Sequence, residues 1–162
     1  MKRVLQLYSM LAVVIICSSY SYTIANPWLG KWKGTLTQFS ATLVSDDSGG
    51  VKANASTDYL FEMDIKTVSD ISVSGETKIT LKDKPDIYGI ISFSGIIQKD
   101  GKLAFEESRI IKETMSKKMG GSFCLKNGIL KLDKGGDGAT LSGSWAGCIA
   151  KTGKEGEIKI YK

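Results

Sequence analysis

Apolar and polar residues alternate over much of this chain, and that alternation limits the possible folds more than any other feature. In the stretch 59–66, Phe61, Met63 and Ile65 share one face, and charged residues occupy the positions between them. Successive side chains of a β-strand point to opposite faces, so this pattern predicts half-buried strands. Helical periodicity is hard to find. The sequence therefore predicts an all-β fold.

Turn signals separate the alternating stretches at the short spacing typical of antiparallel strands. Asp100-Gly101 predicts a two-residue type I′ hairpin, and Asn127-Gly128 predicts another. The predicted strands cover residues 28–37, 59–66, 71–81, 88–99, 102–112, 123–126, 129–132, 140–145 and 156–161. About eight to ten strands in one up-and-down meander predict a closed barrel, because closure removes both exposed edges.

A short pattern with a glycine inside a strand occurs three times, at 72–75, 92–95 and 140–143. Glycine in a strand marks a bend, a bulge or a close approach of two backbones, and a sheet that curves into a barrel needs such points. The alternative is that Ser and Gly are simply common in this chain.

The first 25 residues have the features of an export signal. Two positive charges at residues 2–3 precede an apolar stretch over 4–17, and a small-residue motif ends at Ala25, where we predict cleavage. The apolar core is shorter than the roughly 20 residues of a spanning helix. We therefore predict a secreted or periplasmic protein with no membrane span after cleavage. The predicted units are a signal peptide, 1–25, and a single β-barrel domain, 26–162.

Removal of the signal changes the cysteine count and the charge. Cys17 is lost, and Cys124 and Cys148 remain as an even pair, which in an exported protein predicts one disulfide. A lipoprotein would instead use Cys17, but the residues before it lack the small side chain that such a site needs. The mature chain keeps 20 basic against 17 acidic residues, a net charge of +3. This mild excess gives no case for nucleic acid.

The residue types argue against most catalytic systems. The chain has no His, so Ser-His-Asp and Cys-His nucleophiles and the common zinc sites are excluded. A pair of carboxylates of the glycosidase type is not excluded by sequence. No motif predicts a cofactor. We therefore expect a protein that is not an enzyme and needs neither cofactor nor metal.

Gly30-Lys31-Trp32, on the first predicted strand, resembles the N-terminal signature of the calycin barrels, which include lipocalins and avidins. The resemblance implies an eight-stranded barrel with a central cavity for a small apolar ligand, and a tryptophan packed across one end. It also implies an arginine on the last strand. Here the cations in that region are Lys159 and Lys162.

The strand after the Asp100-Gly101 turn carries charges on the same side as Phe105. A two-residue turn would place Ser94 opposite Glu107 and Ser92 opposite Arg109. If Phe105 points inward, Glu107 and Arg109 do so too and line a polar cavity. The alternative is a local bulge, or a side that faces solvent. The residues predicted to contact a ligand are Trp32, Phe61, Met63, Phe93, Glu107 and Arg109.

Two functions fit these features. The first is a non-catalytic exported barrel that binds a small hydrophobic or amphipathic ligand in its interior. The alternative is a protein-interaction module, such as an enzyme inhibitor or an immunity protein, that binds a protein partner through the loop 45–57 and the connection 113–122.

Overall fold

The structure, a computed structural model, describes residues 26–41, 54–115, 117, 120–136, 138–147 and 155–162. These residues form eight antiparallel strands, each paired with the next, and the last strand pairs with the first to close a barrel. The strands are β1 (Gly30–Ala41), β2 (Asn54–Ser69), β3 (Ser72–Leu81), β4 (Lys84–Ile97), β5 (Lys102–Glu113), β6 (Asn127–Gly135), β7 (Gly138–Ala146) and β8 (Gly156–Tyr161). The predicted all-β meander and its closure are confirmed.

The alternation seen in the sequence sets which side chains fill the barrel. On β2, Phe61, Met63 and Ile65 point inward and are at most 1% exposed, while the residues between them face outward. The same period runs through the other strands. The largest fully buried side chains are Trp32, Leu36, Phe61, Met63, Ile65, Ile91, Leu103, Leu130, Leu141, Trp145, Ile158 and Ile160.

The β4–β5 hairpin differs from the predicted two-residue turn. The Gln98 N–H donates to the Lys102 carbonyl at 2.7 Å, and the Gly101 N–H donates to the Gln98 carbonyl at 2.9 Å, so the loop has three residues. Gly101 has a φ of 75°, whereas Asp100 is not in the left-handed region. This is the geometry of a type I turn followed by a glycine bulge. The register shifts by one residue, and Ser94 pairs with Glu106 instead of Glu107.

Asn127-Gly128 was expected to be a hairpin turn, and that prediction is wrong. Both residues lie in β6, where Asn127 pairs with Ala146 and Gly128 with Trp145. A Cβ on Gly128 would overlap the Ser144 carbonyl and the Phe105 ring. The glycine here permits close packing of a strand and has no role in a turn.

Strand β5 contains two irregularities that decide where its charged residues point. Phe93 pairs with Glu107, but Ser92 pairs with Arg109, so Ser108 is an extra residue in the ladder. A second shift follows between Ile90 and Ile91. Glu107 is therefore buried, whereas Arg109 is exposed on the outer face. Of the two alternatives considered for this strand, the structure has the local bulge.

The repeated glycine pattern has a packing reason at Gly75. A Cβ at this position would overlap the Asp64 carbonyl on β2 and the ring of Phe93 on β4. Gly143, in the third copy of the pattern, has the same relation to the Ile129 carbonyl. Both glycines lie where neighbouring backbones come close, as the sequence interpretation proposed for a curved sheet.

Candidate functional site

One end of the barrel, where β1 begins, is closed by tryptophan. Trp32 is fully buried, and its indole N–H donates to the Trp28 carbonyl at 3.0 Å. The Lys162 ammonium lies 5.3 Å from the centre of a Trp32 ring, a cation–π distance. The same ammonium donates to the Pro27 carbonyl at 3.2 Å. We call this the closed end.

The opposite end, where β1 ends, contains a cavity of about 350 Å³ that we call the mouth cavity. One wall comes from strands β1, β2 and β3. The other comes from the connection between β5 and β6 and from the end of β7. The lining residues are Leu36, Gln38, Tyr59, Ile79, Met115, Ser122, Phe123, Cys124, Lys126 and Trp145. Most are apolar, and a few polar groups lie among them.

A buried ion pair borders the mouth cavity. The Lys126 ammonium lies 3.0 Å from Glu107 Oε2, and the two side chains are 1% and 0% exposed. The same Glu107 oxygen also accepts the Lys126 backbone N–H at 2.9 Å. A second acceptor for the ammonium is the Cys124 carbonyl, at 2.9 Å. The pairing offsets the high cost of burying either charge alone.

The other carboxylate oxygen of Glu107 is also bonded. The Thr77 hydroxyl donates to Glu107 Oε1 at 2.5 Å, which links β3 to β5 across the interior. Every buried side-chain nitrogen or oxygen among the described residues has a hydrogen-bond partner. The ion pair is therefore a built part of the barrel, held by β3, β5 and the segment before β6.

Two polar side chains mark the outer part of the mouth cavity. The Tyr59 hydroxyl donates to Gln38 Oε1 at 3.2 Å, joining β2 to β1. Burial raises the pKa of the Tyr59 hydroxyl above its ordinary value, because the low-dielectric surroundings disfavour the phenolate. Both residues are half-buried, whereas Lys126 is 2% exposed and lies deeper.

The segment before β6 is fixed by contacts to β4 and β5. Glu113 Oε2 accepts the Ser122 hydroxyl at 2.9 Å and the Phe123 backbone N–H at 3.2 Å. The Phe123 ring lies over Gly89, where a Cβ would overlap it. Strand β5 pairs with β6 only as far as Glu106 and Asn127. The segment before β6 lies beside the remaining part of β5, which continues to Glu113.

The residues predicted from the sequence to contact a ligand do not lie at the mouth cavity. Four are core residues: Trp32, Phe61, Met63 and Phe93, all at most 3% exposed. Glu107 lies behind Lys126, and Arg109 faces outward. Their predicted contact with a ligand stays a prediction.

Sequence reasoning missed Lys126, Gln38 and Tyr59. Lys126 lies beside a predicted turn that is in fact a strand, so nothing in the local pattern placed it inside the barrel. The sequence did contain a signal for Gln38 and Tyr59. Gln38 continues the inward series of Trp32 and Leu36, and Tyr59 precedes the inward residues Phe61 and Met63 at the same spacing.

Three predicted features fall wholly or largely outside the described residues. The signal peptide, 1–25, and Cys148 both lie there, and so does most of the 45–57 loop, whose last four residues belong to β2. The predicted disulfide between Cys124 and Cys148 stays a prediction. In the described part, the backbone of Gly147 packs against Leu125, one residue from each cysteine in sequence.

A second concavity, of about 520 Å³, lies on the outer face of strands β3 to β6, and we call it the outer trough. Ile96, Ala104 and Ile129 are paired across three strands and face outward in it. Small side chains such as Ser72 and Ser94 leave the depression between them.

No protein-family model, curated protein or solved structure matches the chain. Among the described residues there is no group of three or more His, Cys, Asp or Glu that could hold a metal ion. The described part of the chain also contains no helix with the length and apolar character of a membrane span.

Proposed function

We propose that this protein is an exported, non-catalytic, calycin-like barrel that binds a small hydrophobic or amphipathic ligand in the mouth cavity. The observation that carries the proposal is the cavity itself. Its volume, about 350 Å³, falls within the range of small-molecule sites, and its walls combine apolar side chains with polar groups in about equal measure, as an amphipathic ligand requires.

The contrast with the rest of the interior supports this location. Below the mouth, side chains such as Phe61, Met63 and Leu141 are fully buried in the core. A ligand in the middle of the barrel would have to displace them. The proposed site is therefore at one end of the barrel, above the core residues that the sequence suggested as ligand contacts.

The calycin resemblance gains support from the closed end. Trp32 packs across that end as the resemblance implies, and a cation from the last residues of the chain lies over its ring. The resemblance also implies an arginine on the last strand, and β8 has none; the cation over the Trp32 ring is Lys162, one residue after β8. The ring of eight antiparallel strands fits the same fold.

Binding of a neutral lipophilic dye, N-phenyl-1-naphthylamine, tests the proposal. We expect saturable one-to-one binding with a rise in dye fluorescence. A matched pair of variants locates the dye. Ser122→Phe fills the mouth cavity and should abolish binding, whereas Ser94→Phe, in the outer trough, should leave it unchanged.

Three results would contradict the proposal: no dye binding, binding with several dyes per chain, or loss of binding in Ser94→Phe alone. The absence of dye binding together with recovery of a stoichiometric protein partner would favour the interaction module. Native circular dichroism of both variants controls for folding.

A further inference from the structure

Among the described residues, the Lys126 ammonium has fewer hydrogen-bond acceptors than donors. It carries three N–H groups, and among the described residues its acceptors are Glu107 Oε2 and the Cys124 carbonyl. Lys126 lines the mouth cavity, so a molecule that occupies the cavity contacts this residue. A hydrogen bond from an ionised donor is stronger than one between neutral groups.

The Lys126–Glu107 pair carries no net charge. Glu107 neutralises Lys126 at 3.0 Å, and both are removed from solvent. Among the described residues that line the cavity, Lys126 is the only charged one. Two further carboxylates of the described residues lie at this end of the barrel. Glu113 holds Ser122 and Phe123 in the cavity wall. The buried Glu155 accepts the Gly147 N–H at 3.2 Å.

A charged ligand would disturb this balance. A carboxylate at Lys126 would add a second negative charge beside Glu107 and leave a net buried charge, which is costly in a low-dielectric site. An ammonium group would meet the Lys126 charge directly. A carbonyl oxygen accepts the third N–H and adds no net charge.

Resting on the proposed function, we infer that the mouth cavity selects apolar molecules bearing an uncharged hydrogen-bond acceptor, such as a ketone or an ester. The acceptor binds the Lys126 ammonium, and the apolar body lies against Leu36, Ile79 and Met115. The buried ion pair thus sets specificity: it presents a strong donor and excludes ions of either sign.

Competition against the neutral dye at pH 7 tests the inference with octan-2-one, octanoate and octylammonium. These probes share chain length and differ in head group. We expect octan-2-one to bind at least about tenfold more tightly than either ion, because each ion leaves a net charge in a low-dielectric site. Octanoate or octylammonium binding as tightly as the ketone would overturn the inference and leave the proposed function standing. Binding of none of the probes, and of no dye, would overturn both.

The double variant Glu107→Leu/Lys126→Met removes the ion pair without leaving a lone charge. We expect it to lose the preference for octan-2-one over oct-1-ene, which lacks the acceptor. The matched control Lys66→Met/Glu76→Leu removes a Lys–Glu pair on the outer face and should keep that preference. A preference that persists in the first double variant would contradict the inference.

A measurement on the unaltered protein avoids dependence on variant folding. The carbonyl carbon of ¹³C-labelled octan-2-one should shift downfield on binding, as a hydrogen bond from an ammonium group requires. A bound carbonyl with the shift seen in an apolar solvent would overturn the inference.

Discussion

At the closed end of the barrel, Trp32 is completely buried, its indole N–H is bonded to Trp28, and Lys162 covers its ring. At the mouth, Trp145 is almost as deeply buried, and its indole N–H donates to the Thr37 carbonyl at 3.1 Å. Yet Trp145 lines a cavity of about 350 Å³, and Trp32 lines none of the cavities described above. The two ends use the same residue type, but only Trp145 lines a cavity. A concavity of about 340 Å³ at the closed end is lined by the β6–β7 turn, Tyr161 and Lys162, and Trp32 is not part of its lining.

The difference comes from what covers each end. The closed end is covered by the chain before β1 and by the last residue after β8, which bond to each other through Lys162. The wall of the mouth is an irregular segment between β5 and β6, which holds a buried ion pair in place of further apolar side chains. This difference is the basis of our proposal that the mouth binds a ligand, whereas the contacts at the closed end stabilise the barrel.

The largest expected effect is at the closed end. Trp32→Ala should lower the free energy of unfolding by about 3–5 kcal/mol, because it leaves a cavity in a filled core. Urea denaturation measures the change, and Leu60→Ala, at a residue 43% exposed, is the control with an expected change within about 0.5 kcal/mol. A loss below about 1 kcal/mol for Trp32→Ala would show that this end does not stabilise the barrel.

The next effect concerns the ion pair at the mouth. Lys126→Met should cost about 3–5 kcal/mol of unfolding free energy, because Glu107 is left buried without a partner. The double variant Glu107→Leu/Lys126→Met should recover most of that loss, since it removes both charges. Equal destabilisation in the single and double variants would mean that packing, and not charge, explains the effect.

A smaller effect on stability, with a clear effect on binding, is expected at Met115. Met115→Ala should change the unfolding free energy by about 1 kcal/mol or less, since the side chain is only half-buried. It should weaken dye binding by about fivefold to tenfold, because roughly one or two methylene-sized contacts at ~0.8 kcal/mol each are lost. Ile96→Ala, in the outer trough, is the binding control and should have no effect.

The smallest effect is a pH dependence at Tyr59. Its folded-state pKa is raised by burial, so its contribution to stability is complete below the unfolded pKa of about 10 and is lost as pH rises through the higher folded value. Tyr59→Phe should flatten the fall in stability above about pH 10. Tyr161→Phe, at an exposed residue of the closed end, should leave the fall unchanged.

Most of the fold could be predicted from the strand pattern, because alternation with a period of two residues indicates directly which side chains are buried, as at Phe61 and Met63. It failed where glycine had a second use. Gly128 looks like a turn residue, but it permits Phe105 and the Ser144 carbonyl to approach β6. It also failed at the bulge beside Ser108, since an extra residue reverses the orientation of the residues that follow, here as far as the second shift in β5.

The candidate site was less predictable for a related reason. Glu107 and Lys126 are 19 residues apart, and they come together because the segment before β6 runs antiparallel beside β5. A buried lysine has no local signature, because the alternation rule assigns charged residues to the outer face. The predicted pairing of Cys124 and Cys148 rests on the cysteine count and on export, and it stays a prediction.

The most direct test of the account is a methyl NMR titration of the protein with octan-2-one. We predict shift changes confined to the methyl groups of Leu36, Ile79 and Met115, with those of Met63 and Val73 unmoved. Shifts centred on Met63 and Val73 would place the ligand in the core and contradict the division between a filled closed end and a binding mouth.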